Sequence, residues 1–197
     1  MTPYSKEKIE AAVKAKGYMW FDSASDYDVN IVGVRNSAVG QVVTNSFDDA
    51  LTISYKVNGI WQFKQWSATT DPGTKGVKEF HNPNGVARLA PGQYRGSHCI
   101  GLHQGKYEAL CQHSQLTVFR DANRDMIFEE TKTDAGIFGI NIHHAGADST
   151  LVENWSEGCQ VFKRIVDFNE FMVICHKAKD LHGNSFTYTL LESKNII

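Results

Sequence analysis

Long hydrophobic stretches are missing from the chain. The longest unbroken apolar run is five residues, Phe171 to Cys175, far short of the roughly 20 that a membrane-spanning helix needs. Cysteine is sparse, with four in 197 residues (Cys99, Cys111, Cys159 and Cys175). That is too few for the disulfide framework of a small secreted scaffold. None stands in a C-x-x-C pair, which argues against a structural zinc knuckle. Each cysteine is therefore a small buried hydrophobe by default, unless its neighbours argue for chemistry. Charge of one sign is also missing. A net charge of −2 gives no electrostatic reason to expect nucleic acid or an anionic membrane surface as partner. No charged-then-apolar leader is visible at the N-terminus, so no secretory signal is expected.

What is present is ordinary for a globular domain: 42% apolar and 21% charged residues, enough for a substantial core. No repeat, low-complexity tract or linker divides the chain, so one domain over residues 1–197 is expected, with a helical segment at about 1–17. Ser5 to Lys16 spaces Ile9, Ala12 and Val13 helically, with Ser5 as N-cap and Gly17 as stop. Leu51, Ile53, Tyr55 and Val57 alternate with polar neighbours. After Asn58-Gly59 the alternation resumes at Trp61 and Phe63, which predicts a hairpin with a type I′ turn. Residues 70–97 read as turn-rich. Short strands are expected at Glu108–Cys111, Leu116–Arg120 and Gly139–His143. A second helix is expected with Asp167 as cap, Glu170 three residues on, an apolar stripe of Phe168, Phe171, Met172 and Cys175, and Gly183 past its end. Phe186, Tyr188 and Leu190 then alternate as a closing strand. The fold class this implies is mainly β (a β-rich α+β domain) with flanking helices.

One segment carries chemistry. Gly139-Ile140-Asn141-Ile142-His143-His144 reads as a strand ending in a histidine pair. After a polar loop comes Trp155-Ser156-Glu157-Gly158-Cys159, a tight turn into a cysteine. Fifteen residues separate His143 from Cys159, enough for a loop to leave a strand and return beside it. An imidazole near a thiol can convert it to a thiolate–imidazolium pair. Gly158 allows a sharp turn, and the amides of Gly158 and Cys159 are candidate oxyanion donors. Adjacent strand residues face opposite ways, so only one of His143 and His144 can face the thiol.

Ile142-His143, the spacer and Ser156-x-Gly158-Cys159 together resemble the motif of the L,D-transpeptidase (YkuD-type) catalytic domain. The resemblance is specific over Ile142 to Phe162 and extends weakly to Pro91-Gly92-Gln93-Tyr94. It implies an L,D-transpeptidase-like β-sandwich or barrel, with Cys159 as nucleophile, His143 as base and the His144 carbonyl orienting the imidazole. Ser156 and Gly158 match the family's turn positions. The implied substrate is a peptidoglycan stem peptide, processed through a thioester by hydrolysis (carboxypeptidase or endopeptidase) or by transpeptidation, without a cofactor or metal. The expected protein is a monomer that contacts neither nucleic acid nor membrane. A wall enzyme without a visible leader suggests a phage endolysin, made in the cytoplasm and released to the wall. The departures are Glu157 for the family's second histidine, His144 for a glycine, and Gln160-Val161 where an arginine or asparagine usually follows.

Other residues carry competing readings. His103, and Tyr94 with Arg95, are candidate substrate-groove residues, though a solvated or locally hydrogen-bonded role is the plainer reading of each. Glu157 reads as a solvated turn residue. Asp121, Asn123, Asp125 and Glu129 stand at positions 1, 3, 5 and 9 of a calcium-loop pattern. However, Met126 occupies the glycine position and Lys132 the bidentate glutamate position, which favours a plain acidic turn. Two alternatives remain: a zinc peptidase using His143, Asp148 and His176 or His182, and a non-catalytic wall-binding or phage structural module.

Overall fold

The computed structural model describes residues 2–36, 42–79, 82–128 and 132–196. The elements are α1 (Lys6–Ala15), β1 (Asn30–Arg35), β2 (Asp49–Val57), β3 (Ile60–Thr69), α2 (Thr74–Glu79), β4 (Val86–Leu89), β5 (Gly92–His103), β6 (Tyr107–Gln112), β7 (Leu116–Asp121), β8 (Thr133–Gly136), β9 (Ile142–His144), β10 (Gln160–Phe162), α3 (Ile165–His182) and β11 (Phe186–Glu192). Eight strands close into a barrel in the order β1-β11-β5-β6-β9-β10-β3-β2, and β4-β7-β8 form a separate three-stranded sheet. The architecture is mainly β with flanking helices. Among the described residues no helix is long and apolar enough to cross a membrane.

The clearest local signals hold. Asn58 (φ 51°) and Gly59 (φ 77°) both take positive φ between β2 and β3, as a type I′ turn requires. Ser5 caps α1 by accepting the Lys8 N–H at 3.3 Å. Ile9, Ala12 and Val13 pack with Trp20, Val32 and Val34 in a second core outside the barrel. Each fully buried Ile or Val there is worth about 1.5–3 kcal/mol of transfer free energy. This explains β1, which the sequence reading passes over. Its alternate residue Ile31 belongs to the main core, while Val32 and Val34 meet α1. All six residues are buried, and a strand covered on both faces shows no alternation.

Three expectations are corrected. The 70–97 region is not chiefly turns, since it holds α2, β4 and the start of the 12-residue β5. Helix α3 starts at Ile165, with Arg164 as N-cap, so Asp167 lies inside the first turn. The Asp167 carboxylate accepts Arg164 Nε and Nη2 at 2.8 and 2.6 Å instead of capping the helix. The strand expected over Gly139–His143 is β9, Ile142–His144, because Gly139 turns the chain at φ 75°.

A buried ionic cluster ties the small sheet to the barrel. Arg35 of β1 and Arg88 of β4 both bind Asp71, at 2.9 and 2.8 Å. Arg35 also donates to the Leu89 carbonyl at 2.8 Å. Asp49 of β2 accepts the N–H groups of Asn36 (2.6 Å) and Thr70 (2.7 Å). Paired in this way, the buried charges fix how β4 meets β1 and β2, which positions one wall of the site.

Candidate functional site

Strands β9 and β10 pair in parallel, with Gln160 opposite Ile142 and Val161 opposite His143. The pairing extends one residue earlier, where the Gln160 N–H donates to the Asn141 carbonyl at 2.9 Å. By strand alternation, Ile142, Gln160 and Phe162 face the barrel interior, while Asn141, His143, Cys159 and Val161 face outward. Consistently, Ile142 and Phe162 lie in the main core, and Val161 joins a small outer cluster against which Cys159 packs. Cys159 and His143 open on one cavity of about 1100 Å³, whose walls include His103, Tyr107, Asn141 and Trp155.

The turn before Cys159 is fixed from below. Ser156 is fully buried. Its hydroxyl donates to the Cys159 carbonyl at 2.8 Å and accepts the Gly158 N–H at 3.2 Å. A Cβ on Gly158 would lie 2.5 Å from the Ala87 carbonyl, and its φ is 124°, so only glycine fits against β4. Gln160 adds a second brace. Its Nε2 donates to the Gly158 carbonyl at 3.2 Å, and its Oε1 accepts the Tyr188 hydroxyl at 2.8 Å inside the barrel. That hydroxyl reaches in over Gly33, where a Cβ would stand 1.9 Å away. Ser156 and Gly158 thus shape the turn and do not line the cavity. The Gly158 amide, expected as an oxyanion donor, is committed to Ser156.

Burial disfavours the charged form of both Cys159 and His143. Burial pushes the Cys159 thiol up to about 11, against the Asn141 N–H that donates to Sγ at 3.4 Å, with Glu157 adding to the rise. The thiol donates in turn to the Gly139 carbonyl at 3.4 Å. Burial and His103 hold His143 down to about 3, against the His144 carbonyl. Sequence spacing suggests a preformed thiolate–imidazolium pair. Burial instead disfavours the charged form of each, and among the described residues no hydrogen bond joins Sγ to the His143 ring, since Sγ is engaged by Asn141 and Gly139. His143 Nδ1 lies 3.0 Å from the His144 carbonyl. A carbonyl can only accept, so Nδ1 carries the proton and Nε2 is the free lone pair. Tyr107 Oη also meets Nδ1 at 3.2 Å.

His103 stacks on His143 with centroids 4.1 Å apart and planes 20° from parallel. Asn141 Oδ1 accepts the Gln112 N–H at 2.9 Å, so Asn141 Nδ2 must donate to His103 Nδ1, also at 2.9 Å. His103 therefore bears its proton on Nε2. His144 turns away. Its ring rests on Tyr107 and Phe168, at 4.5 and 5.0 Å. Tyr94 lies apart from the cavity, and its hydroxyl donates to the Ala90 carbonyl at 2.7 Å.

Sequence reasoning missed Gln112, Asn141 and Gln160. Asn141 was accessible, standing two residues before His143 on the same strand face. Gln112 carried no local signal. Its Oε1 accepts the N–H groups of Phe138 and Ile140, both at 3.0 Å. Its Nε2 donates to the Ser114 and Gly136 carbonyls, both at 2.9 Å. One side chain thereby holds the segment that carries Gly139 and Asn141 against the sulfur.

The residues of the zinc alternative are not gathered. Asp148 pairs with Lys163 at 3.2 Å, His176 with Glu108 at 3.1 Å, and His182 with the Asp26 carbonyl at 2.8 Å. Among the described residues, no three His, Cys, Asp or Glu side chains converge as a metal-binding group. Comparison of the chain with family models, curated proteins and solved structures gives no match.

Proposed function

We propose that the chain is a cysteine acyl-transfer enzyme acting on peptidoglycan stem peptides, a divergent relative of the L,D-transpeptidases of the kind a phage employs as an endolysin. The observation that carries this is the parallel β9–β10 register, which sets Cys159 and His143 on one face over one cavity. The His144 carbonyl meanwhile leaves His143 Nε2 free as a base. Lys106 and Arg120 also line the cavity, against Glu157. Arg120 is paired with Asp134 at 3.1 Å, so Lys106 is the cation that would meet a free carboxylate of such a peptide.

Because burial disfavours the charged form of both groups, the thiol proton moves only as substrate arrives. His143 Nε2 takes that proton while Sγ bonds to the carbonyl carbon, and the π electrons move to the carbonyl oxygen. Collapse of this intermediate breaks the C–N bond, and the departing amine takes the proton back from His143. Water then resolves the thioester in a hydrolase, or a second stem-peptide amine does so in a transpeptidase, with His143 again accepting the incoming proton.

The same electrostatics favour a second reading, a wall-binding module without turnover, since a thiol held up to about 11 is a reluctant nucleophile. Mass spectrometry of muropeptides after incubation with purified sacculi separates the two. Release of peptide or D-alanine that disappears in Cys159→Ala and His143→Ala supports the enzyme. Sacculus binding without any new product, alike in all three proteins, establishes the module.

A further inference from the structure

The loop after β7 holds acidic groups that the cavity does not use. Asn123 Oδ1 accepts the Asp125 N–H at 3.2 Å, and Asp125 Oδ1 accepts the Ile127 N–H at 2.8 Å, both at the surface. On its own this is an ordinary acidic turn. Asp121 is different. It is 1% exposed. Its Oδ2 accepts the Met126 N–H at 2.9 Å, so the carboxylate lies beneath the loop it begins. The other oxygen, Oδ1, is buried with no hydrogen-bond partner. A carboxylate oxygen closed off from water without a donor is costly unless a cation lies against it.

We infer that this loop binds a calcium ion through Asp121 Oδ1, the side chains of Asn123 and Asp125, and the Ile127 carbonyl. The donors are hard oxygens supplied by alternate residues of one loop, the arrangement that flexible calcium coordination uses and that magnesium, with its stricter geometry, uses poorly. One sequence objection falls away, because Met126 already holds φ 68° in the left-handed region that a glycine would supply. The other objection, Lys132 in place of a bidentate glutamate, sets the strength. With few anionic ligands, the dissociation constant belongs in the weak range of about 10⁻⁴ to 10⁻³ M. Glu129 lies outside the described residues and is not needed for this argument. The position of the loop gives the ion a consequence. It joins β7, whose Arg120 lines the cavity, to β8, after which Gly139 and Asn141 contact Cys159.

The test is calorimetric titration of the chelator-treated full chain with calcium chloride, alongside thermal denaturation with and without calcium. One-site binding in the millimolar range or tighter, a raised melting temperature and a much weaker magnesium response are expected. Asp125→Asn, at an exposed position, should weaken calcium binding about tenfold or more while leaving the calcium-free melting temperature unchanged. Asp121→Asn should abolish binding yet be at least as stable as the parent without calcium, since it removes a buried charge; a purely structural Asp121 would give the opposite sign. Absence of binding at about 10 mM calcium, ten times the weakest affinity expected, would overturn the inference. So would equal responses to calcium and magnesium, or unchanged affinity in Asp125→Asn.

Discussion

Replacing Gln112 should loosen the cavity wall before it disturbs the barrel. The side chain is nearly buried and makes four hydrogen bonds of 2.9–3.0 Å to the backbone of residues 114, 136, 138 and 140. In Gln112→Ala all four are lost. Each such bond is worth about 1 kcal/mol net, and a buried orphan such as the Ile140 N–H costs about 1–3 kcal/mol. Water can reach the partly exposed Gly136 and Phe138, which lowers the sum to about 3 kcal/mol. With a urea m-value of about 2 kcal/mol/M for a chain of this size, the unfolding midpoint should fall by about 1.5 M. The freed segment carries the two groups that hold Cys159 Sγ, Asn141 N–H and Gly139 C=O. Alkylation of Cys159 by iodoacetamide, read by mass spectrometry of the modified peptide, should therefore quicken under native conditions. Gln112→Glu is the discriminating partner. It keeps the oxygen that accepts from Phe138 and Ile140 but turns a second oxygen toward the Ser114 and Gly136 carbonyls, so it should destabilise at neutral pH despite its matching shape. A loss below about 1 kcal/mol in Gln112→Ala, with an unchanged alkylation rate, would show that the segment is held by other contacts.

Two pH experiments follow from the buried groups. Iodoacetamide labelling of Cys159 in the free protein should be slow at neutral pH and keep climbing toward its titration near about 11; a rate already level at about pH 7 would reveal the ion pair that burial disfavours. His98, buried with Nε2 facing the Ile140 carbonyl at 3.1 Å, is held down to about 4, chiefly by burial. Its unfolded pKa lies near about 6.5, so the unfolded chain binds the proton first as pH falls through the window between the two values. Stability should therefore drop on acidification by up to about 3 kcal/mol from this group. His98→Gln should flatten the dependence seen by denaturant titration across that window, and an unaltered slope would exclude His98 as its source.

Legibility in the sequence followed how local each cause was. The β2–β3 hairpin was readable because Asn58 and Gly59 supply the φ values its turn needs, whatever the rest of the chain does. Strand β5 was not, because its glycines look like turn residues. Gly96, at φ 55°, adjoins a register shift against β11 between Phe186 and Tyr188, so the glycine marks an irregularity within a pairing strand. The start of α3 was misread because Asp167 has a better partner in Arg164 than in the helix backbone.

The candidate site divides along the same line. The return of the chain could be read, since strand β9, which carries His143, and the turn that leads into β10 through Cys159 need only the intervening loop. The protonation state could not be read, because it belongs to the walls. His103 from β5, Tyr107 from β6 and the Gln112-held segment close over the pair from outside the motif. Burial raises the thiol and lowers the imidazole at once, so the walls of the cavity disfavour the charged form of each. Any activity of this pair must then depend on what enters the cavity. A carbonyl that accepts the sulfur's electrons as His143 takes its proton avoids the isolated thiolate, whereas a small alkylating reagent, with no fixed position against the imidazole, gains little from it. The proposed enzyme should therefore combine rapid acylation by a bound stem peptide with sluggish alkylation at neutral pH, whereas sluggish reaction with both would favour the binding module.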